Sequence, residues 1–386
     1  MTNFRLTPFD LTVFIAMSVL LALIAATAVV GISEPILRVA YLKLGDNTRF
    51  YDVWMANPAE PDSAEQITFT ESGVFDYDIS ADGRYVAYSE RSFDTGIADI
   101  KLLDLRTNDT RILTNCVMQD SDCTSPSFRP DGNVIAYERV EFNTTIGGGV
   151  GSNRIWLLDL TTEPPSTYPL FEDSQILGYS AEWSADGSKL MFYESVGGGI
   201  LIFDFNADDA KGENPVSFIP SNFGEVGAIS PDGEEVIFPE MMLDNSRTRS
   251  FLQLANLESG VFVPISEPDS TSDDQQPSWS PDGRFVALGR QYWDEDRYTR
   301  GHQIYLMDMD DETVTPLIYD PAYSNALPEW SPQSEWLAFQ RFPQLDDNGE
   351  IVTDGTTEVW TYEIATQKLF RIDDNARNPL WVAPYE

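Results

Sequence analysis

Histidine, cysteine and positive charge are scarce in these 386 residues: one His, two Cys, and 24 Lys+Arg against 63 Asp+Glu. The formal charge of −39 leaves no way to hold a phosphate backbone electrostatically, which excludes nucleic acid as a partner, and a bare anionic lipid surface would repel the chain. One His and two Cys, with no Cys-x-x-Cys, are too few soft ligands for a structural zinc site. No Gly-x-Ser-x-Gly elbow occurs, because Gly178-Tyr-Ser180-Ala-Glu182 fails at its last position, and the lone His302 has no triad partners marked in the sequence. The glycine runs Gly147–Gly151 and Gly197–Gly199 lack the Lys-Ser/Thr of a phosphate loop. Chemistry is left to carboxylates, hydroxyls, aromatics and backbone groups. At 42% hydrophobic and 12% aromatic, the composition is nevertheless that of a folded acidic protein.

What is present begins with an uncharged run of 22 residues, Leu11–Ile32. At about 1.5 Å per residue it is long enough to cross a hydrocarbon core of about 30 Å. It reads as a single transmembrane anchor after a short tail (1–10), with 33–36 as a connector. The alternative is a signal peptide cleaved after Ala26-Thr27-Ala28, although the apolar run continues through Val29, Val30 and Ile32. Arg5 on one side and Arg38 and Lys43 on the other do not decide the orientation. The expected location is a single-pass membrane protein with its main domain outside the cytoplasm, in the periplasm or at the cell surface.

From residue 37 onward one repeat governs the chain. Ile79-Ser-Ala-Asp82-Gly83, Phe128-Arg-Pro-Asp131-Gly132, Trp183-Ser-Ala-Asp186-Gly187, Ile229-Ser-Pro-Asp232-Gly233, Trp279-Ser-Pro-Asp282-Gly283 and the degenerate Trp330-Ser-Pro-Gln333-Ser334 each precede an alternating apolar strand. Pro presets φ for a type I turn, Asp bonds its own backbone, and Gly takes the left-handed position. These aspartates are therefore structural. A third strand follows in each unit, such as Ile100-Lys-Leu-Leu-Asp104 or Ile304-Tyr-Leu-Met-Asp308, and then a short outer strand such as Val261–Ile265. Four short strands about every 50 residues predict a β-propeller.

The key positions 79, 128, 183, 229, 279, 330 and 381 mark seven inner strands. The last, at Trp381, has almost nothing after it, whereas 37–42, 51–55 and 66–70 supply second, third and outer strands with no inner strand before them. Strands 37–70 and 378–386 are thus expected to complete one blade and close the ring. The fold class is all-β, a seven-bladed propeller over 37–386 with a single N-terminal transmembrane helix; six blades is the alternative count. The Ser-Pro-Asp-Gly turns with Ile-x-Leu-x-Asp strands resemble the β-propeller repeats of the TolB family, which also occur in propellers of prolyl-oligopeptidase-like enzymes. That resemblance implies a membrane-tethered binding or scaffolding module. The family's six-bladed ring and preceding domain are not matched here, which separates this chain from TolB's own role.

Long loops join second to third strands (141–153, 291–301, 342–357) and outer to inner strands (115–125, 266–276), and alternating strand direction puts both kinds on one rim. This rim carries Asp120, Asp122, Asp269, Asp273, Asp274, Asp294, Asp296, Asp346, Asp347 and Asp354, with Tyr292, Trp293 and Tyr298. It is the expected site for a protein partner, within a membrane complex. No organic cofactor is expected; Ca²⁺ is the one ion such acids could hold, although Asp346-Asp-Asn-Gly349-Glu350 departs from an EF-hand loop. The alternative function is an exported carboxylate-dependent hydrolase or lyase with its site at the channel mouth. Raised pKa values in a cluster of acids there would favour catalysis, and an aromatic patch rimmed by charge would favour binding. Cys116 and Cys123 are expected to form a local disulfide after export. Because the chain enters as a second strand at Leu37, on the Asp-Gly side, the rim is expected to face away from the membrane.

Overall fold

The computed structural model describes residues 36–45, 49–142, 149–207, 215–244, 247–266 and 271–384. The tail, the apolar run 11–32, nearly all of the connector, and Asp269 lie outside the described residues. Among the described residues no helix is long and apolar enough to cross a membrane.

Seven four-stranded antiparallel sheets form a propeller. Blade 1 joins the inner strand Ala376–Val382 to Arg38–Leu44, Tyr51–Asn57 and Glu60–Gln66, so the two ends of the domain meet in one sheet. Blades 2 to 7 follow in chain order over 74–112, 121–169, 178–220, 228–264, 272–318 and 323–374. Burial follows the same ring: each gap between neighbouring blades holds its own apolar cluster. The closing one packs Val39, Tyr41 and Ala56 of blade 1 against Ala338, Val359 and Ile372 of blade 7. The outer strand of blade 1 is 60–66 and not the 66–70 expected from sequence. The physical reason is Asp52, whose carboxylate accepts bonds from the Thr68 and Thr70 hydroxyls (2.8 and 2.9 Å) and turns that segment out of the sheet.

The repeated turn is built as its residues dictate. In four of the blades the turn serine donates its hydroxyl to the turn aspartate, as Ser80 to Asp82, Ser184 to Asp186, Ser230 to Asp232 and Ser280 to Asp282, at 2.5–2.7 Å. The same oxygen accepts the N–H five residues on, for example Tyr85 at 2.8 Å and Phe285 at 2.9 Å. Gly83 sits at φ +71°, a conformation that costs L-residues energy; Ser334 holds the position at +59° in the degenerate turn.

Two further devices tie several of the inner strands to the blade before them. A bulge places Ser125, Ser180, Gln276, Leu327 and Asn378 at φ between 51° and 58°, shifting the register and turning backbone N–H groups toward the neighbour. Ser125 donates to Asp76 (2.8 Å), Ser180 to Glu138 (2.9 Å), Leu327 to Gln276 (2.9 Å) and Asn378 to Gln340 (3.1 Å). Three residues further on, the indole N–H groups of Trp183, Trp330 and Trp381 donate to the carbonyls of Ser127, Ser278 and Glu329 at 2.9–3.1 Å. Blade 5 departs from this scheme: its inner strand is only Ala228–Ile229, and the Nε1 of the following tryptophan, Trp279, is buried without a partner.

Candidate functional site

On the rim, most of the acidic residues singled out by sequence are engaged in holding the fold. Asp122 accepts the Ala98 N–H at 2.7 Å. Asp273 is buried and accepts the Ser250 N–H (2.7 Å) and hydroxyl (2.6 Å), with His302 Nε2 3.5 Å from its other oxygen. Burial alone would raise the Asp273 carboxyl, but the bonds from His302 and Ser250 outweigh it and hold it below the ordinary carboxylate value. Asp274 is fully buried in a two-pronged pair with Arg290 at 2.6 and 2.8 Å. Asp294 is lowered to about 2 by Arg297 and Thr271, and Asp346 folds its own loop by accepting the N–H groups of Asn348 and Glu350. Asp120 ends, in left-handed conformation, the short 3-10 turn Val117–Gln119 between Cys116 and Cys123, which are disulfide-bonded with Cα atoms 6.0 Å apart. Asp296, Asp347 and Asp354 are exposed.

Between its exposed charged residues the rim also carries exposed apolar side chains. Phe93, Met118, Val196, Leu243, Tyr298 and Ile351 are each at least half exposed there. On the opposite face, by contrast, Leu160, Leu257, Met309 and Ile364 of the interstrand turns pack against the blade cores. The rim is most elaborate at blades 5 and 6. The second and third strands of blade 5 run for 10 residues each, paired out to Asp244 and Arg247, and carry exposed Met241 and Leu243 past the other blades. The Arg247 guanidinium lies 5.7 Å from the Trp293 ring, Trp293 lies 6.0 Å from Tyr298, and Arg297 stands 3.8 Å over Tyr292. Of the predicted rim residues, Tyr292, Trp293, Asp294 and Tyr298 are thus brought together with Arg247, which the sequence reading missed, as it missed the exposed Met241 and Leu243 of the same blade 5 hairpin.

A second feature lies in the channel, to which the alternative function pointed without naming residues. Asp78, Glu182 and Glu329, from blades 2, 4 and 7, each stand one residue before the buried inner-strand residue (Ile79, Trp183, Trp330). Burial raises Asp78 to about 6, against the opposing effect of the N–H bonds from Phe128 and Ile79, and raises Glu182 to about 7. Burial raises Glu329 to about 8, with further contributions from the charges of Glu182 and Asp78. These blades are not neighbours, so charges that reach one another from them do so across the central channel. Glu182 and Glu329 are half-buried, enclosed by the ring but in contact with channel space, and no hydrogen bond from the described residues satisfies either side chain. Among the described residues no three His, Cys, Asp or Glu side chains lie close enough to share a metal ion.

Where the inner strand of blade 5 is cut to two residues, the channel widens into a cavity of about 410 Å³ bounded by blades 4 to 7, with Glu182, Glu225, Trp279, Glu329 and Trp330 on its wall. Its cause is local. Gly227, at φ +76°, lies so near the second strand that a Cβ would stand 2.1 Å from the Ile237 carbonyl oxygen, so the segment 224–227 takes a path that other residues could not follow. The Glu225 carboxyl on this segment is raised by its enclosure, although the side chain meets the solvent of the channel.

Comparison with known proteins agrees with this architecture. The family described as TolB beta propeller domain matches residues 37–300. Among solved structures, TolB from Acinetobacter baumannii is 16% identical, with 90% of this chain and 66% of that chain covered and a TM-score of 0.51. The β-propeller domain of the trilobed protease from Pyrococcus furiosus, described as having an open velcro topology, is 15% identical over 79% of this chain and 84% of its own, TM-score 0.53. Oligogalacturonate lyase from Vibrio parahaemolyticus is 14% identical over 88% and 85%, TM-score 0.54. At these identities the likeness is one of fold. No curated protein matches the chain. With the family matching well over half of its length and the repeat continuing to Trp381, the chain belongs to the TolB β-propeller domain family.

Proposed function

We propose that the protein is a membrane-anchored, extracytoplasmic propeller that acts without catalysis, docking a protein partner on its long-loop rim. The observation that supports this reading best is the rim at blades 5 and 6: Met241, Arg247, Trp293 and Tyr298 are of residue types enriched in protein interfaces, exposed Leu243 adds apolar surface on the same hairpin as Met241 and Arg247, and the acids of this rim are mostly engaged internally. Exposed Asp296, Asp347 and Asp354 on the same rim add charge that favours a partner with basic groups. The chain enters the ring on the opposite face, since Arg38–Leu44 is a second strand and Ala383 lies against the Asp-Gly turn at Gly83.

The competing reading, an exported carboxylate-dependent hydrolase or lyase, has Glu182 and Glu329 in its favour, because displaced carboxyl pKa values are common in active sites. Against it, no described side chain orients either acid by a hydrogen bond. The two readings part in one experiment, crosslinking and affinity capture of the full-length protein in its own membrane. Leu243→Asp together with Trp293→Ala should abolish capture of the partner, whereas Glu182→Gln with Glu329→Gln should leave it intact. A partner retained by the rim variant, or lost only with the channel variant, would refute the proposal.

A further inference from the structure

The cavity beside blade 5 is a built feature of the ring, separate from the rim. It exists because Gly224-Glu225-Val226-Gly227 takes the place of the first part of the inner strand, leaving only Ala228–Ile229, and Gly227 holds that path against the Ile237 carbonyl. Its volume, about 410 Å³, falls in the range of small-molecule sites, about 300–1,000 Å³. Its chemistry is one-sided. Glu182, Glu225 and Glu329 line it, Asp78 acts on Glu329 across the channel, and its wall contains no Lys, Arg or His. Trp279 and Trp330 also line it, and the Trp279 N–H lacks the carbonyl partner that its counterparts in blades 4, 7 and 1 possess.

We propose that this cavity binds a small organic cation, an ammonium or guanidinium on a short aliphatic body, with Glu182 and Glu329 receiving the charge and the indoles of Trp279 and Trp330 packing against the carbon chain. A cation supplies what the wall lacks: it pairs with carboxyls that no protein group satisfies, and it gains from the π faces of aromatic rings. A neutral polyol would leave the mutual repulsion of the acids uncompensated. Binding also ionises the acids. Burial raises both Glu182 and Glu329, and the charges of Glu182 and Asp78 raise Glu329 further, so a cation that pulls them back toward ordinary values releases protons near neutral pH. Affinity should therefore rise with pH through the window of about 6 to 8.

The test is calorimetric titration of the full-length protein in detergent with agmatine, with 1,4-butanediol as a neutral analogue, at pH 6.0 and pH 8.5 and in two buffers of different ionisation enthalpy. Agmatine should bind at pH 8.5 at least tenfold more tightly than at pH 6.0, with net proton release near neutrality, and butanediol should not bind. Glu182→Gln with Glu329→Gln should weaken agmatine roughly ten- to a hundredfold, the loss expected for charge-assisted bonds, and unchanged tryptophan fluorescence would show that the fold persists. Acetyl-Gly-Arg-Gly-amide tells a free amine from a partner's side chain: binding of agmatine alone identifies a free ligand, and binding of both admits an inserted arginine. Equal binding of butanediol, undiminished binding by the double variant, calcium chloride binding in place of agmatine, or no binding of either cation would overturn the assignment.

Discussion

Glu329 makes a stability prediction that is independent of any ligand. In the unfolded chain its carboxyl titrates near 4.5; in the ring, burial and the charges of Glu182 and Asp78 raise it to about 8. The folded state therefore holds the proton more tightly than the unfolded state. Below about pH 4.5 both states are protonated and the residue costs nothing. As pH rises from 4.5 to 8 the unfolded chain ionises while the folded one does not, and stability falls until both are charged. The displacement from 4.5 to about 8 sets a ceiling of about 5 kcal/mol. Contact with channel solvent lowers the realised effect, and we expect Glu329→Gln to stabilise the propeller by about 2–4 kcal/mol at pH 8.5 and by almost nothing at pH 4.5. Glu182→Gln should act in the same direction over the narrower window from 4.5 to about 7. The double variant should gain less than the sum, because removing one charge relieves the other. Urea unfolding of wild type and variants at pH 4.5, 6.5 and 8.5, followed by tryptophan fluorescence, reads this directly. A Glu329→Gln effect that does not change with pH, or that is destabilising at pH 8.5, would refute the burial argument.

Two further outcomes test the ring itself. The tryptophan ties should separate by blade: Trp330→Phe leaves the Ser278 carbonyl without its donor and should cost about 1 kcal/mol more than Trp279→Phe, whose indole N–H has no partner to lose; equal losses in thermal melts would contradict the irregularity assigned to blade 5. Deleting residues 376–386 removes the inner strand of blade 1 along with the Trp381–Glu329 and Tyr77–Asn378 bonds, and calorimetry with size-exclusion chromatography should show cooperative loss of the whole ring; a monomer that keeps its melting temperature would mean that the chain ends do not close it.

Local chemistry was legible in the sequence, and geometry that depends on the ring was not. The Ser-x-Asp-Gly turns could be read because every bond that forms them lies within five residues, as Ser80 shows by serving both Asp82 and Tyr85. Closure by the C-terminal strand could be read because it is a matter of counting inner strands. The outer strand of blade 1 was misplaced because its boundary depends on Asp52 capturing Thr68 and Thr70 from 16 and 18 residues away. The rim acids were seen as a charged surface because nothing near Asp122 or Asp273 in the chain announces that Ala98 or Ser250, 24 and 23 residues distant, will donate to them. The channel acids did leave a trace: Asp78-Ile79, Glu182-Trp183 and Glu329-Trp330 place a carboxyl at one register of the repeat, while Ser127 and Ser278 stand at that register in other blades. A strand's two-residue period says which neighbours share a face but not which of them look across an axis, and that information exists only once seven sheets are arranged in a ring. Blade 5 was hidden for the opposite reason. Its Ile229-Ser-Pro-Asp-Gly233 turn is intact, and the departure lies upstream, where Gly224 and Gly227 bracket Glu225 and admit a backbone path that the repeat does not otherwise take. In a repeat protein the turn consensus reports the scaffold, so the place to look for a site is the unit that keeps its turn while the strand before it is cut short.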